Sequence, residues 1–222
     1  MRALVALLLA SASAAADELP VPRFASAVVV PPRLPGPRPV LVVLHGMGDS
    51  ASAICPAFDA LVEGRSWILC PRGVAIPGAP DEWTFPIDNS AVAAEVRAAL
   101  AALERAHPDR VRPRPALLAG FSLGAMFAAA IAVVDPTTFP RALIVDTHHV
   151  WTQAQRAHFV AGGGRGALFA CSRTYVGDCR RRCRGETCIE LPDREHGYDD
   201  VLFARLRASF ERLVADDARW SR

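Results

Sequence analysis

A serine between two glycines is the feature of this sequence with the clearest chemical potential. The pentapeptide Gly120-Phe121-Ser122-Leu123-Gly124 follows the apolar run 116–119 and precedes the alanine-rich segment 125–134. These segments predict a buried strand and a buried helix joined by a tight turn. Such a turn lifts the serine Oγ out of the sheet and points the first helical amides at whatever the serine attacks. We therefore interpret Ser122 as a nucleophile.

A serine hydroxyl is a weak nucleophile and needs a base, a group that orients the base, and donors for the developing oxyanion. The predicted apolar strand 39–44 ends in His45-Gly46-Met47-Gly48-Asp49, a glycine-containing loop suited to supply backbone donors. His196 lies in Glu195-His196-Gly197-Tyr198, before the last predicted helix, and several aspartates lie between Ser122 and His196. The sequence thus contains all the residue types of a nucleophilic serine site.

These motifs resemble the alpha/beta hydrolases, and within them the small carboxylesterase, phospholipase and acyl-protein thioesterase group. The resemblance rests on the 45–49 and 120–124 motifs, the segment from Ile68 to Trp83, and His196, so it extends over most of the chain from about residue 40. It implies His196 as the base and the backbone N–H groups of Met47 and Leu123 as oxyanion donors. His45 is expected to brace its loop.

The acid that orients His196 is less clearly marked, because the group's Gly-Asp-x-Asp signature is absent. The resemblance places the acid after the predicted strand 167–170, which favours Asp178. Asp146 ends the predicted strand 143–145 and is the first alternative, and Asp193 is another. The acid would fix the imidazole tautomer and stabilise its cation.

The pattern along the chain predicts an α/β fold with a mostly parallel sheet sandwiched by helices. Continuous apolar strands alternate with helical patterns, which is typical of a parallel sheet covered on both faces. Strands are predicted at 25–30, 39–44, 67–69, 116–119, 143–145, 167–170 and 188–191, and the segment 71–89 is predicted to be a loop. The connection 149–166 is too short for a large cap. Candidates for an apolar pocket wall are Trp83, Phe85 and Trp151.

The first sixteen residues predict a secretory signal peptide. Arg2 gives a positive start, an apolar stretch follows, and Ala14-Ala15-Ala16 has the small residues that a signal peptidase reads. Cleavage after Ala16 would leave 17–222 as a single hydrolase domain, secreted or periplasmic. The stretch is too short for a membrane anchor, and no other run is long and apolar enough to span a membrane.

Export changes the interpretation of the six cysteines, Cys55, Cys70, Cys171, Cys179, Cys183 and Cys188. In an oxidising compartment an even number of cysteines predicts disulfides. We expect Cys55 to pair with Cys70, and the sequence leaves the other pairings open. A zinc site among the last four is disfavoured, because the paired C-x-x-C spacing is missing and arginines lie between them.

Composition sets limits on partners and substrates. The chain has 222 residues, is 51% hydrophobic and carries a formal net charge of +2, so no nucleic-acid partner is indicated. Arg180-Arg181-Arg182 with Arg184 is the one local basic cluster; it could favour anionic substrates or surfaces, although such clusters are more often solvated loops.

The sequence therefore predicts a serine esterase that hydrolyses carboxylic esters or thioesters through an acyl-enzyme on Ser122. It needs no metal or organic cofactor, and its substrate is a small-molecule or polymeric ester. The alternatives are a depolymerase or feruloyl-type esterase acting on polymeric esters, and a non-catalytic binding protein with a hydrolase fold. The oligomeric state and the acyl chain are not indicated.

Overall fold

A computed structural model describes residues 16–183 and 188–221. The predicted signal peptide therefore lies, apart from Ala16, outside the described residues, as does Arg184. Among the residues described, no helix is both long and apolar enough to cross a membrane.

An eight-stranded sheet forms the centre of the fold. The second strand from one edge pairs antiparallel with both of its neighbours, and all other neighbouring strands pair parallel. In spatial order from that edge, the strands are β1 (Asp17–Leu19), β2 (Ala27–Val30), β4 (Trp67–Cys70), β3 (Arg38–Leu44), β7 (Val111–Phe121), β8 (Arg141–Val145), β9 (Gly166–Ser172) and β10 (Cys188–Leu191). This confirms the predicted mostly parallel sheet.

Helices cover both faces of this sheet, because neighbouring residues of each strand point to opposite sides. Along β3, Val40 and Val42 enter one core cluster with Phe127, whereas Leu41 and Val43 enter the other with Phe210. The helices are α1 (Ala51–Ala57), α2 (Asp59–Val62), α3 (Asn89–Ala106), α4 (Leu123–Val134), α5 (Gln153–Ala161), α6 (Val176–Arg182) and α7 (Asp200–Val214), followed by a 3₁₀ turn at Ala218–Trp220. The layered arrangement agrees with the predicted α/β class.

The segment predicted as a loop contains a two-stranded hairpin, so that prediction is wrong. Strands β5 (Val74–Ile76) and β6 (Ala79–Thr84) pair antiparallel, with a register shift between Ala75 and Ile76. Most of their residues are exposed or half-buried. Without a buried face the hairpin has no alternating apolar pattern, and the sequence therefore contains no signal for it.

Three disulfides join the six cysteines, and none of the cysteines is free. Cys55 pairs with Cys70, as predicted. Cys171 pairs with Cys179 and Cys183 with Cys188, so that the middle of α6 is tied to β9 and the residue that follows α6 is tied to β10. Helix α6 is therefore held covalently against the sheet.

Candidate active site

Ser122 occupies the turn between β7 and α4 in an uncommon backbone conformation. Its φ is +55° and its ψ is −118°, in a region that side-chain-bearing residues rarely adopt. The Ser122 N–H donates to the Val145 carbonyl at 3.0 Å, and the Ser122 carbonyl accepts from the Met126 N–H at 3.2 Å. Strained residues of this kind persist where the surroundings over-determine them, and they cluster at functional sites.

The two flanking glycines are required by close approach of the backbone. A Cβ on Gly120 would lie 2.4 Å from the Gly124 carbonyl oxygen, and one on Gly124 would lie 2.2 Å from the Leu44 carbonyl oxygen. Both distances are far inside van der Waals contact, so no larger residue fits without moving the backbone. The start of α4 is thereby packed against the end of β3, next to the 45–49 loop.

His196 lies beside Ser122, between β10 and α7, where the sequence placed it. Its Nε2 is 3.0 Å from Ser122 Oγ, and its Nδ1 is 3.3 Å from Asp146 Oδ2. The Phe121 ring stacks on the imidazole with centroids 4.7 Å apart, and Tyr175 meets it edge-on at 5.5 Å. The imidazole is thus held by polar contacts at both nitrogens and by aromatic contacts at its faces.

Asp146 is the carboxylate that meets His196. It directly follows β8, is 3% exposed and has a φ of +56°, which aspartate tolerates better than most residues. Its Oδ1 accepts from the Ser172 N–H at 2.6 Å, so the other oxygen remains for the imidazole. The Asp146 N–H in turn donates to the Ala170 carbonyl at 2.8 Å. This aspartate is therefore fixed in place from β9.

The sequence favoured Asp178 as the acid that orients His196, but the structure does not place Asp178 next to His196. Asp178 lies in the first turn of α6 and pairs with Arg181 at 2.6 Å. The chain after β9 forms a short helix, and the Cys171–Cys179 disulfide ties that helix to β9. Asp193, the third candidate, forms an ion pair with Arg205 on α7. Asp146, the first alternative, is therefore the aspartate that contacts His196.

The backbone amides of Met47 and Leu123 lie on the two segments that border Ser122. Leu123 is the first residue of α4, and Met47 follows Gly46, on which an added Cβ would lie 3.3 Å from Ser122 Cβ. Neither amide donates a hydrogen bond to another described residue. The first amides of a helix have no partner within the helix, so they are available to an anion.

A side-chain contact that sequence analysis missed joins the loop after β3 to the loop that carries His196. The Tyr198 hydroxyl lies 3.0 Å from both carboxylate oxygens of Asp49 and donates to them. Burial and the neighbouring Asp49 charge raise the pKa of Tyr198, so the hydroxyl stays protonated. Asp49 also pairs through its backbone with Trp83 of the hairpin. The loop after β3 is thereby connected both to the hairpin and to the loop that carries His196.

His45 braces its loop, as expected, through both of its ring nitrogens. It is fully buried, with Nδ1 2.7 Å from the Gly46 carbonyl oxygen and Nε2 2.9 Å from the Arg72 carbonyl oxygen. Its ring lies 4.6 Å from that of Phe85. Glu95, buried on α3, accepts from the Gly73 N–H at 2.8 Å, and burial raises the pKa of this carboxyl. These contacts hold the loops behind Ser122.

A cavity of about 550 Å³ lies along α4. Trp151 belongs to its wall, as predicted for the pocket, whereas Phe85 is buried in the core and Trp83 lies under the Arg72 guanidinium. The residues around the cavity are Ile87, Asn89, Met126, Phe127, Ala129, Ala130, His149, Val150, Trp151, Thr152, Gln155 and Arg182. The lining is mixed, with apolar residues from α4 and polar ones from the surrounding loops and helices.

The sulfurs of Cys179, Cys183 and Cys188 lie within 4.8 Å of one another, the one such cluster of potential metal ligands in the described part of the chain. Zinc binds cysteine as thiolate. Each of these cysteines is paired in a disulfide, so the cluster offers no thiolate in this state.

Comparison with solved structures identifies the fold. An esterase from Pyrobaculum calidifontis superposes with a TM-score of 0.58 over 90% of this chain and 85% of that one, at 14% identity. A carboxylesterase from Bacillus cereus gives 0.59, with 84% and 93% covered at 13% identity. Acyl-protein thioesterase 2 from Zea mays gives 0.55, with 82% and 98% covered at 16% identity. No protein-family model and no curated protein matches the sequence. The chain has the alpha/beta hydrolase fold.

Proposed function

We propose that this protein is a serine hydrolase that cleaves carboxylic esters or thioesters through an acyl-enzyme on Ser122. The observation that carries the proposal is the continuous contact from Ser122 Oγ through His196 to Asp146, at 3.0 and 3.3 Å. A serine, an oriented base and a buried carboxylate in this order are the parts of a nucleophilic triad. The esterases and the thioesterase of the same fold give the proposal further support.

In the proposed reaction, His196 Nε2 removes the proton of Ser122 as Oγ bonds to the acyl carbon. The oxyanion that forms accepts hydrogen bonds from the N–H groups of Met47 and Leu123, which can stabilise the transition state by several kcal/mol. The bond to the leaving oxygen or sulfur then breaks, and the imidazolium gives its proton to the leaving group. A water molecule, deprotonated by His196, cleaves the acyl-enzyme and restores Ser122. Asp146 accepts from Nδ1 throughout and stabilises the imidazolium.

The proposal predicts that purified protein is labelled by a fluorophosphonate probe and hydrolyses para-nitrophenyl esters. A series of acyl chain lengths, a thioester and an aryl-ester polymer would identify the preferred class, including the polymeric esters of the alternative. An activated serine reacts with the probe, whereas an unactivated one does not. Folded protein that neither takes the label nor cleaves any of these substrates would contradict the proposal and favour the non-catalytic alternative.

We also propose that the protein is exported and acts outside the cytoplasm. The motivation is the N-terminal pattern and the three disulfides, which persist in oxidising compartments. The intact mass of the exported protein should correspond to a chain that begins at Asp17 and should lack two hydrogens for each disulfide. A protein retained in the cytoplasm with Met1 in place, or one that carries six free thiols, would contradict export.

A further inference from the structure

The three consecutive arginines of α6 have different surroundings. Arg180 pairs with Glu190 at 2.7 Å, and Arg181 pairs with Asp178 at 2.6 Å. Arg182 forms no ion pair with a described residue; it donates from Nη1 to the Val150 carbonyl at 3.1 Å and lines the cavity beside α4. Of the three, Arg182 is therefore the one whose positive charge has no carboxylate partner among the described residues.

The cavity lies along α4, the helix whose N-cap is Ser122. Met126 and Ala130, which line it, lie one and two turns along α4 from Ser122. At 1.5 Å per residue these positions are about 6 and 12 Å along the helix axis. A substrate whose acyl carbon is at Ser122 can therefore extend its chain along α4 into the cavity.

The lining of the cavity favours a negative group at its polar side. None of the described residues around it is an aspartate or a glutamate. His149 also lines it, and burial, together with the charges of His148 and Arg182, lowers the pKa of His149. A neutral imidazole leaves Arg182 as the source of formal charge among the described lining residues, while the α4 side is apolar.

Arg182 is an exposed residue whose backbone is restrained by nearby disulfides and whose guanidinium is restrained by its hydrogen bond to Val150. It is the last residue of α6, and the next residue is Cys183, which is bonded to Cys188 of β10. The middle of α6 is held by the Cys171–Cys179 disulfide. A guanidinium held in this way loses less entropy on pairing than one on a free loop, so it suits recognition of a carboxylate.

We propose that the cavity binds the distal carboxylate of an acyl chain, with Arg182 as its partner, so that the preferred substrates are half-esters of dicarboxylic acids. The apolar side chains of α4 contact the methylene chain, and the guanidinium forms charge-assisted hydrogen bonds with the carboxylate. This substrate class rests on the function proposed above for Ser122.

The test compares para-nitrophenyl half-esters of adipic and suberic acid with para-nitrophenyl alkanoates of equal carbon number. At low salt, wild-type protein should favour the half-esters in kcat/KM by about tenfold, a typical effect of one charge-assisted contact. Arg182→Gln should remove most of this preference, and Arg182→Lys should retain part of it. Arg180→Gln and Arg181→Gln are the matched controls, because each removes one charge of the same cluster, and they should keep the ratio within about twofold.

Absence of any preference in wild-type protein, or equal losses in the three glutamine variants, would overturn the proposal. Hydrolysis of the neutral alkanoates without a preference for half-esters would reject only the substrate class. Failure on all esters together with failure of probe labelling would reject the function as well. Calorimetric binding of the suberate half-ester to the Ser122→Ala variant gives a readout independent of turnover, and Arg182→Gln in that background should weaken binding by a similar factor.

Discussion

Replacing Ser122 with alanine should abolish ester hydrolysis and fluorophosphonate labelling. The variant removes the Oγ that lies 3.0 Å from His196 Nε2 and leaves the rest of the site in place. In other triads, loss of the nucleophile lowers kcat by up to about 10⁶-fold, and the residual rate comes from the oxyanion donors and substrate binding. The rate of para-nitrophenyl ester hydrolysis and the extent of labelling measure the effect.

The stability of this variant should remain close to that of the wild type. Ser122 already has a positive φ, and alanine and serine are similarly strained there, so the backbone penalty is unchanged. Ser209→Ala is a suitable control and should keep full activity, because Ser209 lies in the second half of α7 and lines a cleft with Gly166, the first residue of β9. Hydrolysis retained by folded, contaminant-free Ser122→Ala protein would mean that another residue is the nucleophile.

Ser122 and His196 could be predicted from the sequence because each depends on local structure. The glycines that flank Ser122 are needed where α4 meets β7 and β3, and close backbone approach of that kind leaves a readable motif. His196 lies in the loop before a helix that is marked by its own N-cap, Asp199, which accepts from the Leu202 N–H at 2.8 Å. Neither assignment required knowledge of distant contacts.

The choice between the two aspartates depended on tertiary structure, which the sequence did not specify. Asp178 could orient His196 only if the chain after β9 extended toward the site. Instead, that chain forms α6, which a disulfide ties to β9. The parallel register did contain a signal for Asp146. Phe121 pairs with Val145, so the residues that follow them, Ser122 and Asp146, leave adjacent strands at the same level. That register becomes visible only once β7 and β8 are known to be neighbours.

The contacts between loops could not be predicted for a related reason. Tyr198 and Asp49 are separated by 149 positions, and nothing in either segment specifies the other as its partner. The pairing of Cys171 with Cys179 and of Cys183 with Cys188 was likewise one of several arrangements compatible with the spacing. Contacts of this kind are set by how the elements pack on the sheet.

The two aspartates should differ sharply when each is changed to asparagine. Asp178→Asn removes one side of an ion pair with the exposed Arg181, and such surface pairs contribute about 0–1 kcal/mol. Ester hydrolysis by this variant should stay within about twofold of the wild type, because His196 keeps its contact with Asp146. A severe loss of acylation in Asp178→Asn protein of normal stability would mean that Asp178, on α6, orients His196.

Asp146→Asn, in contrast, should lower the acylation rate by up to about 10⁴-fold, the size of effect seen when a triad aspartate becomes asparagine. The Ser172 N–H at 2.6 Å from Oδ1 requires an acceptor, so the asparagine carbonyl oxygen must take that position and the amide NH₂ must face His196 Nδ1. An NH₂ donor there favours the tautomer that carries its proton on Nε2, and that tautomer cannot accept the proton of Ser122. Rapid-mixing measurements of the acylation burst would report this loss directly, while thermal unfolding checks that the variant is folded. An Asp146→Asn burst as fast as that of the wild type would exclude Asp146 as the group that orients His196.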